Sequence, residues 1–577
     1  MSIEARYNWK TLRPEGRAVD ELCEKLDVSK AIASALWARG IDGLKDAQAY
    51  LKPRLVNLSD PFDLPDMDNA VHCLWGCIDA GKKITIFGDY DVDGLTATAL
   101  LYQVLRKFGA ECSYFLPHRE EEGYGLSGSA VERCLAEHSF QTLVTVDCGS
   151  CAGEQAGILR SRGKDVVVTD HHEFHEPCSQ ATAFVNPKRS SNPETRYLSG
   201  VGVAFKLCHA MQKRAMEQGR KVAGELDLRD FLDLVAVGTV ADIVPLTGEN
   251  RILVKAGLDR MKVSPSPGLA ELVKVSQIPG CRNSYDIGFR LGPRLNAAGR
   301  TGDATRALRL LLASDAVAAR PFAEELNNAN SMRRKIEERV GCEAQDKVES
   351  CFDPGTDFAV VVNGTDWPVG VIGIVASRLS GRHNRPAVIF SDDGQVTCRG
   401  SARRPDGMDF SLIEALSECG DLLEAYGGHQ AAAGLEIKKD RIADFHAAFN
   451  EVCRRRLNGK DLTPGVIVTA WMKEPDFSLT MVDEVDKLRP FGAGNEGPLW
   501  GVKNALVVGA PRIVGKNHLK LSLRVGRIVI DAIGFRMGDR VPLEGDALDA
   551  LFELEVNEWK GRRNLQMKLK DIRQSSP

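Results

Sequence analysis

The sequence predicts an α/β protein with a parallel sheet, then a second α/β lobe, then a small β-barrel or sandwich. Three observations carry that prediction. Short β-branched runs alternate with helical stretches from Lys83 to about Val240, the order produced when helices connect parallel strands. The alternation resumes after residue 355, and beyond Pro464 it gives way to short strands punctuated by glycine. A chain of 577 residues also exceeds one core and divides into three or four domains.

Residues 19–51 place Leu22, Leu26, Ile32, Leu36 and Trp37 near helical spacing, with Gly40 as a stop. Strands are expected at 84–87, 143–146 and 166–169, and an apolar helix at 95–108, ended by Gly109. The apolar segment 231–240 reads as a buried helix. From 304 to about 348 the chain is charged and nearly free of Gly and Pro after Pro321, so one or two helices act as a spacer. In the second lobe, strands are expected at 358–362 and 387–390 around a helix at 370–379, before the Gly-rich 426–434. Strands follow at 465–471, 505–508, 519–525, 528–535 and 550–556, enough for a barrel or sandwich. The expected divisions are 1–70, 71–262, 263–355, 356–460 and 463–577.

Hydrophobic residues at 43% and charged residues at 27% are ordinary for a globular protein. No run of about 18 apolar residues exists, and residues 1–10 lack a signal-peptide core. A cytoplasmic protein with no membrane partner is expected. The 15 cysteines then argue against a disulfide framework. Cys73/Cys77 and Cys148/Cys151 lack a second pair at zinc spacing, so ordinary thiols are expected. Net charge is −4, which gives no global signature for nucleic acid. Residues 511–577 nonetheless hold 13 Lys/Arg against 9 Asp/Glu.

Acidic and imidazole side chains concentrate on four short blocks. These are Asp89, Asp91 and Asp93 between Gly88 and Gly94; Asp147; Asp170-His171-His172; and Asp242. Three blocks follow predicted strands, and open parallel sheets form their sites at strand carboxyl ends. Such a set can orient two divalent cations for in-line attack on a phosphodiester. In extended backbone Asp89, Asp91 and Asp93 would point one way, and the flanking glycines allow a tighter cluster. The blander readings are a solvated acidic turn or a calcium loop. Leu100 stands where an EF-hand needs its glutamate. Carboxylates with one imidazole suit Mn²⁺ or Mg²⁺ better than zinc. Arg119, Arg294, Arg300, Arg399, Ser401 and Arg403 are candidate phosphate donors. Glycines around Arg399–Arg403 and 427–428 would let backbone N–H groups approach an anion.

The blocks resemble the DHH phosphoesterase family, whose name-giving motif is Asp170-His171-His172. Five longer phrases resemble its RecJ branch: FGDYDVDGLT at 87–96, GVGVAF at 200–205, GTVADIVPL at 238–246, LGPRLNAAGR at 291–300 and GGHQAAAG at 427–434. The resemblance spans roughly 60–575. It implies a DHH domain, a DHHA1-like second lobe and an OB-fold. The implied activity is 5′→3′ exonuclease action on single-stranded DNA, in recombination and repair. Single-strand-binding protein and a helicase would be its partners.

It also implies that Asp91 and Asp147 hold one metal, with Asp89 as ligand or outer acceptor. Asp93, Asp147, His171 and Asp242 would hold the other, and His172 would steady the phosphate. Arg119, Arg300, Ser401, Arg403 and His429 would gather where the second lobe faces the first. Trp471, Phe491, Trp500, Phe535 and Trp559 are available for stacking, most of them expected in the core. Two alternatives stand: a phosphodiesterase on short oligonucleotides, cyclic dinucleotides or polyphosphate, and a non-catalytic DNA-binding scaffold.

Overall fold

The computed structural model describes residues 3–12, 16–118, 122–123, 125–300, 304–559 and 561–575. Its first sheet runs Cys112–Phe115, Ile84–Phe87, Thr142–Val146, Asp165–Thr169, Ala183–Val185, all parallel. Ile84–Phe87 and Thr142–Val146 are buried throughout. Their apolar runs are continuous because helices cover both faces of the sheet. Helices Met67–Asp79, Val92–Lys107, Gly200–Glu217 and Leu232–Ala241 share one core. Gly128–Glu137 and Gly153–Ser161 pack on the other face.

The helix expected from residue 95 starts at Val92 instead, with Asp91 as its N-cap accepting from Gly94 N at 3.0 Å. Asp89, Asp91 and Asp93 are therefore not an extended run: Asp93 lies in the first helical turn. The N-cap bond satisfies an amide that otherwise has no helical partner.

Ala316–Cys351 is one continuous helix of 36 residues. Its first half contributes Ala319, Ala323 and Leu326 to the first core, and its last third contributes Val340, Ala344 and Val348 to a core of the second lobe. That lobe carries a mixed sheet in the order Ala425–Gly428, Ala432–Lys438, Thr397–Arg403, Ala387–Asp392, Val360–Thr365. Thr397–Arg403 was not expected as a strand. It pairs with neighbours on both sides, so its amides are occupied and cannot cradle an anion. Gly400 is there for packing: a Cβ would stand 2.6 Å from the Phe390 ring.

The C-terminal strands close into a barrel in the order Trp500–Val514, His518–Val525, Ile528–Gly534, Arg562–Gln574, Ala547–Trp559, with the last pairing back onto the first. Trp500 is fully buried in it, and the side chain of Trp559 lies outside the described residues. The N-terminal helices Gly16–Leu26 and Lys30–Trp37 share the barrel's core through Val19, Leu22, Ile32 and Leu36. Asn8–Thr11 pairs in parallel with Gly465–Val468. The two ends of the chain thus form one body, which the sequence did not disclose.

Candidate active site

The strands Ile84–Phe87, Thr142–Val146 and Asp165–Thr169 end side by side, which brings Asp89, Asp147 and Asp170-His171-His172 to one sheet edge. The helix Leu232–Ala241 ends there too and carries Asp242 as its C-cap. His171 Nε2 lies 3.1 Å from Asp147 Oδ1, 3.5 Å from Asp242 Oδ2 and 3.9 Å from Asp93 Oδ2. Asp93 is fixed by Gly200 N at 2.6 Å and Val201 N at 2.9 Å. Three sets have ligand atoms within 4.8 Å of one another: Asp89 with Asp91 and Asp147; Asp93 with His171 and Asp242; and Asp147 with Asp170, His171 and His172.

The carboxylates crowd because glycines let them. A Cβ on Gly200 would come within 2.4 Å of Asp147 Oδ1, and one on Gly238 within 2.7 Å of Asp93 Oδ1. Asp147 itself holds φ at 63°, a left-handed conformation that Asp tolerates better than most residues.

Charges this close oppose one another by about 3–4 kcal/mol per pair at an effective dielectric of ~20. Burial, followed by repulsion from Asp91, pushes Asp93 up to about 7. Burial and then Asp93 push Asp242 up to about 9. Asp89 and Asp147 are also raised, again by burial first and then by neighbouring carboxylates. Burial, with His172 beside it, holds His171 neutral by lowering it to about 4. Asp89 Oδ1 and Asp242 Oδ2 are buried without a hydrogen bond among the described residues. Unpaired buried oxygens beside a neutral imidazole fit divalent cations with oxygen preference.

Asp170 behaves differently. It accepts from Ser150 N at 2.9 Å, His171 N at 2.7 Å, His172 N at 3.2 Å and His172 Nδ1 at 2.7 Å. Burial alone would raise it, but the His172 bond and charge outweigh that and hold it below the ordinary carboxylate range. Burial likewise works to lower His172, and the bond to Asp170 overcomes it to raise the imidazole. Asn186 donates to Ser150 Oγ at 2.9 Å and to the His172 carbonyl at 3.0 Å, bracing the same loop.

A cleft of about 710 Å³ opens over this edge, lined by His171, His172, Asp242, Lys188, Tyr197 and, from the second lobe, His429. Ser401 and Arg403 lie on one face of their strand, against the helix Val369–His383. A Cβ on Gly373 would be 3.1 Å from Ser401 Oγ and 2.9 Å from Arg403 Nη2. Arg403 donates to Ser401 Oγ at 2.9 Å and to the Ala402 carbonyl at 2.7 Å, and no carboxylate pairs with it among the described residues. Burial holds its pKa below the usual arginine range. Arg399 is exposed on the same strand. Arg294 donates to Asn327 at 3.0 Å, on the long helix. Arg119 and the side chain of Arg300 lie outside the described residues.

Lys188 and Tyr197 were missed by sequence reasoning, since nothing in their flanks marks a site. Cys148 is fully buried with its thiol toward the Phe87 carbonyl at 3.9 Å, a packing role.

The DHH family N-terminal domain matches residues 83–239, the DHHA1 domain 355–455 and the RecJ OB domain 469–571. The chain is 35% identical to the single-stranded-DNA-specific exonuclease RecJ of Bacillus subtilis, over 99% of this chain and 71% of that protein. It is 34% identical to the Haemophilus influenzae RecJ, over 92% and 94%. The chain belongs to the RecJ family. The crystal structure of Thermus thermophilus RecJ with Mn²⁺ superposes with a TM-score of 0.83 at 30% identity, over 99% of this chain and 80% of that one. The Mg²⁺ complex of the same RecJ gives 0.76 at 29% identity, over 99% and 79%. RecJ membership accounts for all three folded parts and for a cluster suited to Mn²⁺ or Mg²⁺. Among the described residues of this RecJ-family chain, no helix is long and apolar enough to cross a membrane.

Proposed function

We propose that the chain hydrolyses single-stranded DNA from its 5′ end to mononucleotides, using two Mn²⁺ or Mg²⁺ ions. The observation that carries this reading is the convergence of Asp93, Asp147 and Asp242 within 3.9 Å of the neutral His171 imidazole. In the proposed assignment Asp89, Asp91 and Asp147 hold one ion, and Asp93, Asp147, His171 and Asp242 the other. When bound, the ions supply charge neutralisation and a water acidic enough to attack near neutral pH.

The remaining work falls to the chain. His172, whose pKa the bond to Asp170 raises against burial, would donate to a non-bridging phosphate oxygen as charge builds there. Arg403, Ser401 and His429 receive the 5′-phosphate across the cleft. A desolvated guanidinium with no carboxylate partner is strongly attracted to such an anion. By family resemblance Arg119 and Arg300 would belong to the same group, and Arg294 and Arg399 are further candidate phosphate donors. A cytoplasmic role beside single-strand-binding protein and a helicase belongs to the same proposal and draws on family membership.

The test is hydrolysis of 5′-phosphorylated single strands, duplexes and dinucleotides with Mn²⁺. Release of mononucleotides from the 5′ end of single strands is expected. Preference for dinucleotides would favour the small-substrate reading, and binding without hydrolysis would favour a scaffold.

A further inference from the structure

The helix Gly248–Val263 opens with three polar residues that the chemistry above does not use: Glu249, Asn250 and Arg251, all of them buried. Polar side chains are buried in succession only where each finds a partner. Here the partners lie in different segments of the chain. Glu249 meets Lys206 at 2.9 Å and accepts from Ser59 N at 2.7 Å. Arg251 donates to the Lys487 carbonyl at 3.1 Å. Asn250 donates through its amide nitrogen to two backbone carbonyls, that of Tyr197 and, at 3.1 Å, that of Pro245.

Tyr197 and Pro245 both line the catalytic cleft. The Asn250 side-chain oxygen, meanwhile, is buried without a hydrogen bond among the described residues. Leaving an acceptor in that state costs stability. Turning the amide over would be worse, since it would set that oxygen against two carbonyls. Asn250 is therefore held in place for what it donates.

The segment it holds is short and strained. Residues 243–247 join Asp242, at the end of one helix, to Gly248 at the start of the next. Ile243, directly after Asp242, is 75% exposed at φ 61°. A β-branched residue keeps such a conformation only where its surroundings over-determine it. Relaxation of Ile243 would carry Asp242 away from His171, now 3.5 Å distant. The bond to the Pro245 carbonyl opposes that relaxation from within the catalytic lobe. The same helical turn also reaches toward Asp93. Lys206, the partner of Glu249, lies on the helix Gly200–Glu217, whose first amides fix Asp93.

We infer that Asn250 is a positioning residue: by holding the Pro245 carbonyl it fixes the loop that presents Asp242. It thereby sets the affinity of the ion that Asp93, Asp147, His171 and Asp242 would share, and so it rests on the two-ion reading above. Asn250 itself touches neither metal nor DNA.

Mn²⁺ titration of the full-length protein without substrate, followed by electron paramagnetic resonance, tests it. Native protein should bind two ions. Asn250→Leu fills a similar volume without donors. It should keep one ion at native affinity and weaken the other roughly 10–100-fold, the range seen when a residue supporting a ligand is lost. Raising Mn²⁺ in proportion should return cleavage of single strands toward the native rate by mass action. Adding Ile243→Asn to Asn250→Leu should recover part of the lost affinity, because asparagine takes a left-handed φ more readily and the loop then needs less holding. Asn250→Asp, of the same shape but with a carboxylate facing both carbonyls, should show the same selective loss. Native affinity for both ions in these variants overturns the inference. So does failure of both to fold, or a weakened ion that Ile243→Asn does not strengthen, since either marks Asn250 as a residue of the fold alone. Native protein that binds both ions but cleaves no single strand sinks the exonuclease reading and leaves the positioning role standing.

Discussion

Asp147 joins several constraints at once. It takes a left-handed φ, it touches Gly200, and it lies 3.1 Å from His171. Asp147→Ala should lower kcat by about 10³-fold or more, about 4 kcal/mol of barrier, with single-strand binding retained by filter assay. Activity within tenfold of native would remove its bridging role. Asp170→Asn should cost roughly 10–100-fold in kcat, the range seen when a residue orienting a ligand is lost, because His172 loses the carboxylate charge that raises its pKa. The raised carboxylates also set a pH dependence for the metal-free protein. Above pH 7, His171 is neutral whether folded or not. Asp242, held up to about 9, then keeps its proton in the folded chain and loses it on unfolding. The folded state binds more protons, so stability falls as pH rises. The melting temperature in EDTA should drop between pH 7 and 9, and the rise caused by Mg²⁺ should be larger at the upper end. A metal-induced rise independent of pH would contradict this. The four blocks were legible in the sequence because three follow strands that must end together. Asp170's role was not, since its four donors converge only once the loop folds back on itself.

Element by element, the buried strands were the easier to read and the exposed ones the harder. Ile84–Phe87 announces itself by four buried residues in a row, whereas Thr397–Arg403 alternates small and charged residues and looks like a loop. That strand determines what Arg403 can do. Alternation puts Arg399, Ser401 and Arg403 on one face, and the helix Val369–His383 closes over the last two. Arg403→Lys keeps the charge but loses the planar fork. It should reduce the preference for 5′-phosphate over 5′-hydroxyl ends about tenfold in kcat/KM, while cleavage from 5′-hydroxyl ends stays near native. Equal losses on both ends would point to a purely structural role. The stretch from 304 to about 348 was expected as one or two helices, and it forms two, the short Thr305–Leu311 and the long Ala316–Cys351. Periodicity could not separate these possibilities, because the long helix serves two cores at different ends.

At the scale of the whole molecule, the termini change how the barrel must be tested. Residues from about 463 onward look separable in the sequence, but Val19, Leu22, Ile32 and Leu36 are buried in the barrel's core. Tyr50 donates to Asn495 at 2.6 Å, and Arg39 donates to the same side chain at 2.9 Å. Truncation at 463 alone would strip the cover from those helices and expose their apolar faces. It should yield aggregated or protease-sensitive protein, which says nothing about DNA. Removing residues 1–54 together with 464–577 takes away the body as a unit. The catalytic lobes keep their own cores, although Leu246, whose N–H meets the Ala493 carbonyl at 2.7 Å, becomes exposed. That double truncation should melt cooperatively and still cleave very short oligomers at near-native kcat. On long strands its KM should rise, and the dependence of binding on salt should shallow as phosphate contacts are lost. Measured side by side on short and long substrates, equal losses would mean that the barrel only braces the fold. A loss confined to long strands would mean that it holds the DNA.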